Sequence, residues 1–230
     1  MRYLIYMHYF LDPTPPDKSL QRSGRGTFHM DNEKAFNAVF WTLLFLGLSM
    51  RSWFAYRVSR TGERILPDRA ARQREGWLPR AIEHLFELLL AALVLYVCFQ
   101  GGSWVRKLSF PAPGWLRWTG VGLGITSVAL FAWTHVTLGR FWSTCLQLRP
   151  DHRLITAGPY ARIRHPMYSA ILGWMMSLGL VAANWIPFVF AALTALNFIL
   201  RIGPEEKMML QQFGGEYREY MKRTGRLLPV

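Results

Sequence analysis

Two stretches of the chain hold residues whose types and spacing could do chemistry. The first, residues 155–168, reads ITAGPYARIRHPMY and sets Arg162, Arg164 and His165 directly ahead of Pro166 and an apolar run. Proline suits the first turn of a helix, where its missing N–H is not needed, and it pushes the residue before it towards an extended conformation. The expected result is a helix N-terminus with backbone donors among cations, a place that favours a carboxylate or a phosphate. The second stretch, residues 201–223, reads RIGPEEKMMLQQFGGEYREYMKR and puts Glu205 and Glu206 just behind Arg201, Gly203 and Pro204. Neighbouring carboxylates on a basic face suit a cationic sulfonium, an amine or a ribose diol.

Each stretch also has a plainer reading. Arginines crowd the cytosolic flanks of most membrane helices, and acids in a first helical turn complement the helix dipole. Arg201 can snorkel from an apolar span, and Asn197, one turn deeper, can bond across helices. Polar groups at membrane depth nevertheless tend to mark sites. On the residues alone both readings stand.

The elements that must position these residues are apolar helices. The 230-residue chain is 51% hydrophobic and 15% aromatic, yet its net charge is +13. Charge and apolarity are segregated, with long uncharged runs between arginine-rich loops, as in a multi-span helical membrane protein. Clustered arginines also neutralise nucleic-acid phosphates, but here they sit beside apolar spans, so the membrane surface is the expected partner and nucleic acid is not. Cys98 lies in an apolar run and Cys145 in a loop, which indicates no disulfide framework. The six histidines have no ligand spacing, and no metal is expected.

The fold class is all-α, a multi-pass helical membrane protein with about five transmembrane helices and a cytosolic C-terminal amphipathic helix. Residues 1–34 read as an N-terminal arm, disordered or interfacial; 35–138 as a three-span membrane region; and 139–230 as a region with a helical hairpin and the C-terminal segment. The spans fall at 35–56, 82–100, 115–138, 167–183 and 186–202, the last two joined by little more than Asn184 and Trp185. Within the third span Gly120 and Gly124, four apart, let another helix approach closely. Basic loops at 57–80, 139–167 and 201–230 face the cytosol by their charge. Residues 204–223 carry apolar positions at helical spacing and read as one amphipathic helix. Arg51 and Glu87, each roughly 8 to 10 Å deep at 1.5 Å per residue, are expected to pair across the first two spans.

With these residues in hand, the C-terminal half resembles the isoprenylcysteine carboxyl methyltransferases and related bacterial membrane methyltransferases. The resemblance covers about residues 141–229: LITAGPYARIRHPMY, a two-span hairpin, RIGPEE, then FGGEYREYMKR and a proline near the C-terminus, in the family's order. It implies S-adenosyl-L-methionine as methyl donor. Gly158, Tyr160, Arg164, His165, Pro166 and Tyr168 would form one wall of its site, and Glu205 and Glu206 the other. Arg201, with Arg164 and Asn197 beside it, would orient the acceptor carboxylate. Gly203 and Pro204 replace acids of the eukaryotic members, Gly225 to Leu228 departs from their C-terminal pattern, and the N-terminal half matches only in being hydrophobic.

The same resemblance implies a lipophilic acceptor entering laterally from the bilayer, most simply an isoprenylcysteine-type carboxylate. An arginine-over-lysine bias points to a bacterial source, so a bacterial inner membrane with a cytosolic C-terminus is the expected location. Three alternatives carry other chemistry. A phospholipid or other lipid amine N-methyltransferase would share the donor but need a base. A sterol-type reductase would bind a nicotinamide cofactor in a similar arginine and histidine setting. A noncatalytic lipid-binding protein would leave the ordered motifs without a purpose.

Overall fold

The computed structural model describes residues 24–60, 107–139 and 153–230, with backbone alone over 24–31, and single helical positions between 81 and 105. Its helices in chain order are α1 (Gly24–Ser59), α2 (Gly114–Leu138), a 3-10 turn (Gly158–Ala161), α3 (Pro166–Ala182), α4 (Trp185–Phe213) and α5 (Gly215–Lys222). Among the described residues there is no sheet, only isolated bridges between Ser109 and Asn184 and between Ile163 and Gly225. Segments Asn32–Ser59, Gly114–Leu138 and Trp185–Phe213 are long and apolar enough to cross a membrane, and Pro166–Ala182 is a shorter apolar helix. The molecule is an all-α, multi-pass membrane protein. The spans expected at 35–56, 115–138, 167–183 and 186–202 correspond to α1 to α4, although α1 already begins at Gly24, inside the arm expected at 1–34, and α4 continues to Phe213, whereas the span expected at 82–100 lies mostly outside the described residues. So do residues 1–23, both cysteines and most of the 57–80 and 139–152 loops.

Close helix packing depends on missing side chains. A β-carbon on Gly120 would come within 2.6 Å of the Leu180 β-carbon, and one on Gly124 within 2.9 Å of Ser177 Oγ. A β-carbon on Gly173 would meet Ser127 Oγ at 2.4 Å. These three glycines therefore let α2 and α3 lie against each other, the small-residue device of membrane helices. Helix α1 adds Phe36, Phe40, Leu43 and Leu44, which form a buried cluster with Leu178 and Val181 of α3 and with Val105. Trp174 Nε1 donates to the Leu43 carbonyl at 2.9 Å.

A buried arginine that the sequence did not single out ties the same layer. Arg117 Nε donates to the Val181 carbonyl at 3.0 Å, its Nη1 pairs with Glu33, and its guanidinium lies 4.0 Å from the Phe36 ring centroid. The α3–α4 turn is as short as expected. Ala183 takes the left-handed conformation, and the Asn184 side-chain Oδ1 accepts from Ile186 N at 2.9 Å, capping α4.

Two expectations change. Pro204 does not begin a new helix: α4 runs through it to Phe213. The single amphipathic helix expected at 204–223 is thus split at Gly214, whose φ of 52° and ψ of −118° are open to glycine alone. Glu87 lies exposed with His84 Nδ1 3.3 Å from its Oε2, bonded within its own segment rather than to Arg51. Glu and His three residues apart share a helix face.

Candidate functional site

The site forms where three local features meet. The first is the approach to α3. Gly158 has a φ of 57°, and a β-carbon there would sit 2.9 Å from Thr137 Oγ1 at the end of α2, so the tight turn and the close approach both call for glycine. Tyr160 is buried in the 3-10 turn that follows. Pro166 opens α3 as the sequence led one to expect, and His165 is its N-cap residue, though with φ −122° and ψ 57° rather than the extended backbone expected before a proline.

The second feature is the lower part of α4. Asn197, Arg201 and Glu205 recur every four residues and so share one helix face, with Asn197 buried. Arg201 Nε donates to Glu205 Oε1 at 2.7 Å, and the Tyr168 hydroxyl donates to the same oxygen at 2.5 Å. His165 Nδ1 lies 3.4 Å from the other oxygen of Glu205. The next residue, Glu206, faces a different set. Arg164 Nε donates to its Oε1 at 2.8 Å, and Arg226 Nη2 reaches its Oε2 at 3.0 Å. His165 Nε2 is 3.7 Å from Glu206 Oε1, beyond hydrogen-bond length, and is buried with no hydrogen-bond partner among the described residues.

The third feature is the end of α5 and the tail after it. Gly225 N donates to the Arg162 carbonyl at 3.0 Å, Arg164 N to the Gly225 carbonyl at 2.8 Å, and His165 N to the Arg226 carbonyl at 2.9 Å. Arg164 Nη1 also donates to the Met221 carbonyl at 3.1 Å and to the Thr224 carbonyl. The Tyr220 hydroxyl donates to the Tyr160 carbonyl at 2.7 Å. The tail therefore fastens the 160–165 segment in place. The family resemblance marked the proline near the C-terminus and a departure at Gly225 to Leu228, but no spacing rule connects Arg226 to Glu206.

Electrostatics follow from this wiring. Burial disfavours the charged form of His165, but the Glu205 and Glu206 carboxylates beside it outweigh burial and raise its pKa above the ordinary 6.5. Burial pushes the Tyr160 hydroxyl well up, with neighbouring Tyr220 and Glu205 adding to the effect. Burial also takes Tyr220 to about 12, against the opposing charges of Arg164 and Arg223. Neither tyrosine ionises near neutrality. The rings of His165 and Tyr168 lie parallel with centroids 5.5 Å apart, and Tyr168 stacks on Phe198 at 4.0 Å. A flat aromatic wall thus stands beside two carboxylates.

Every site residue named from the sequence is in this neighbourhood. Gly158, Tyr160, Arg164, His165, Pro166 and Tyr168 lie on the α3 side, and Asn197, Arg201, Glu205 and Glu206 on the α4 side. Arg164 is bound to Glu206 and to the Met221 and Thr224 carbonyls.

Known proteins carry the same segment. Residues 120–211 match the model of the isoprenylcysteine carboxyl methyltransferase (ICMT) family. The chain is 32% identical over 113 residues to protein-S-isoprenylcysteine O-methyltransferase B of Arabidopsis thaliana, covering 48% of this chain and 57% of that one. It is 31% identical over 169 residues to methanethiol S-methyltransferase of Pseudomonas deceptionensis, covering 66% and 61% respectively. A solved structure of a eukaryotic intramembrane Ras methyltransferase, an ICMT, is 23% identical with a TM-score of 0.48, covering 66% of this chain and 53% of that one. The chain spans a little over half the length of the plant isoprenylcysteine methyltransferases that it matches. The family match takes in the site residues of the Gly158–Tyr168 segment and of α4 but not those of α5 and the tail, and over residues 120–211 the chain is similar to the isoprenylcysteine carboxyl methyltransferases.

Proposed function

We propose that the protein is an integral membrane methyltransferase that uses S-adenosyl-L-methionine and a lipid-like acceptor, in the simplest case the carboxylate of an isoprenylcysteine. The observation that carries this reading is the meeting of Glu205 and Glu206 with the Arg164–Tyr168 segment across α3 and α4. The residues present fit the donor. The His165–Tyr168–Phe198 stack offers a face to a purine, Glu205 offers acceptor oxygens to a ribose diol, and the exposed side of Arg226 offers a partner to the methionine carboxylate. His165 Nε2, buried beside Glu206 with no hydrogen-bond partner among the described residues, has a donor or acceptor to give.

When bound, S-adenosylmethionine supplies a methyl group on a positively charged sulfur. The protein's work is then to hold and exclude. A carboxylate acceptor has a reference pKa of about 4 and is ionised at neutral pH, so no residue need remove a proton. Arg201 can hold it by charge-assisted bonds without taking part in proton transfer, and Asn197, on the same face, adds a neutral contact. Glu205 fixes Arg201 through its Nε, Tyr168 fixes Glu205, and the stacked rings keep water from that side. Holding nucleophile and methyl carbon in line in a dry site lowers the barrier without acid–base chemistry. A site at the end of the bundle where Ser59 and Phe213 lie, which we take to be cytosolic from its basic loops, would take the donor from water and a lipid tail from the bilayer. The likeness to methanethiol S-methyltransferase supports a second reading, transfer to a thiol acceptor, and an amine acceptor would require a base that Glu205, Glu206 or His165 would have to supply.

Calorimetric titration of the detergent-purified protein with S-adenosylmethionine and with NADPH tests the proposal. Saturable binding of S-adenosylmethionine is expected. NADPH binding without it would replace the methyltransferase reading by a reductase.

A further inference from the structure

The outer face of α1 lies outside the segment matched by the methyltransferase family, and the chemistry proposed above makes no use of it. Tyr56, Arg57 and Arg60 follow Trp53 by three, four and seven residues, so the four share one side of the helix, and Phe45 and Leu46 extend that side two turns towards the middle of the bilayer. All six are exposed, whereas Phe54 and Val58, on the other side, are buried. Arg60, one residue past the end of α1, keeps the helical pattern by donating its N–H to the Tyr56 carbonyl at 3.1 Å. The face therefore passes from apolar to aromatic to cationic as it leaves the bundle.

Contacts between helices fix the level at which this change occurs. The Phe54 ring, next to Trp53, stacks on His135 of α2 with centroids 4.4 Å apart. His135 is two residues beyond the exposed Trp133, so Trp53 and Trp133 stand within about one helical turn of a common level. A β-carbon on Gly158 would lie 3.1 Å from Trp133 Nε1, which puts the turn before the candidate site at the same level. Trp115 and Trp118, exposed at the other end of α2, are about 22 to 27 Å from Trp133 at 1.5 Å per residue, close to the thickness of a hydrocarbon core of about 30 Å. Tryptophan gathers at both edges of that core. Arg57 is about 6 Å and Arg60 about 10 Å further out than Trp53 along the helix, and a headgroup layer is about 5 to 7 Å deep. Arg57 thus stands within the layer of lipid phosphates and Arg60 at its outer edge.

The two guanidiniums are held ready for an oxyanion. Arg57 lies 5.4 Å from the Trp53 ring centroid and Arg60 5.8 Å from that of Tyr56, and a planar guanidinium stacked on a ring can still present its N–H edge to phosphate oxygens. The sequence holds no acidic residue between Glu33 and Glu63, so neither arginine has a carboxylate on its own stretch of helix. At the opposite boundary the comparable arginine, Arg117, is buried and paired with Glu33.

We propose that Trp53, Tyr56, Arg57 and Arg60 form a binding site for the phosphodiester of an anionic phospholipid, in the leaflet on the side of the candidate site. The acyl chains of that lipid run along Phe45 and Leu46. A bilayer lipid is the occupant, rather than free phosphate, because the cations continue an apolar face. An anionic lipid is preferred because a zwitterionic headgroup brings its own cation to the same phosphate. The site is independent of the methyltransferase reading.

The test is thermal unfolding of the full-length, detergent-solubilised protein at rising concentrations of three probes: phosphatidylglycerol, phosphatidylcholine with the same acyl chains, and glycerol 3-phosphate. A ligand that binds only the folded protein raises the thermal midpoint with its concentration. Phosphatidylglycerol should act at a concentration at least about fivefold lower than phosphatidylcholine, the effect of one arginine near an anionic surface. Arg57→Gln with Arg60→Gln should bring the two lipids to the same concentration. Arg218→Gln with Arg223→Gln, which removes the same charge from other exposed positions, should keep the preference. Equal losses in the two double variants would reduce the effect to net charge and overturn the proposal. The wild type also decides by itself: an equal response to both lipids, or stabilisation by glycerol 3-phosphate at the concentration at which phosphatidylglycerol acts, overturns it as well.

Discussion

Arg164 and Glu206, 42 positions apart, meet through Nε and Oε1 at 2.8 Å, with 8% and 5% of their side chains exposed. This pair joins the start of α3 to the lower part of α4, and the backbone carbonyls of Met221 and Thr224 on the same guanidinium draw in the tail. Removing one partner of a buried pair leaves an uncompensated charge and costs about 3–5 kcal/mol. Glu206→Gln should therefore lower the thermal midpoint in detergent sharply. Arg226→Gln, whose side chain is 62% exposed, should cost no more than about 1 kcal/mol. Equal losses in the two variants would show that Arg164 does not depend on Glu206.

His165 gives the site a pH dependence whose sign is fixed by its wiring. Its pKa in the fold lies above the ordinary 6.5 because the carboxylates of Glu205 and Glu206 outweigh the effect of burial. A group raised in the folded state stabilises fully below its unfolded value, and that contribution fades as pH rises through the folded value. The thermal midpoint of the wild type should fall as pH is taken upward from about 6.5, the reference value for histidine. His165→Gln, which cannot take up the proton, should lose this part of the slope. A slope identical in the variant would place the titrating group elsewhere.

How much of this was legible in the sequence differs by residue. Apolar runs mark α1 to α4 because a span must be uncharged over most of its length, and Gly120 and Gly124 announce a helix contact by their spacing. Pro166 marks the start of α3 for a local reason, its fixed φ. Pro204 misled, because a proline inside a helix is usually a breaker, yet here the helix persists through it. The link from Glu206 to Arg226 had no local signal: it depends on a chain reversal at Gly214 and on a tail that returns beside residues 162–165. Arg51 was recognised as out of place in an apolar span, but periodicity gives the face of a helix and not the neighbour it meets. The acidic pair and the RHP segment were recognised as partners through their family order rather than through any rule of spacing.

Gly214 is the reversal point between α4 and α5. Its φ of 52° and ψ of −118° would place any β-carbon in a strained conformation, although nothing lies within 4 Å of where that carbon would be. The cost of Gly214→Ala is therefore one of backbone alone, about 1–3 kcal/mol. Gly215→Ala, also in open space but at the first position of α5, should be neutral or slightly stabilising because alanine restricts the unfolded chain. Thermal unfolding of the two single variants measures the difference, and equal midpoints would mean that the turn relaxes without cost.

Gly120 and Gly122 make a second pair of opposed neighbours, this time within one helix. A β-carbon on Gly120 would lie 2.6 Å from the Leu180 β-carbon, 3.2 Å from Val181 N and 3.3 Å from the Ser177 carbonyl. None of these is the free end of a flexible side chain, so α2 and α3 would have to separate, at about 1–3 kcal/mol for overpacking. Gly122, two residues on, has nothing within 4 Å of its β-position, and Gly122→Ala should be neutral or favourable because glycine weakens a helix. Since α3 carries Tyr168 at one end and Leu180 at the other, a shift forced at Gly120 should also disturb the Tyr168–Glu205 bond and weaken S-adenosylmethionine binding. Gly120→Ala that melts at the wild-type temperature, or that melts lower with donor affinity unchanged, would show that the two ends of α3 move independently.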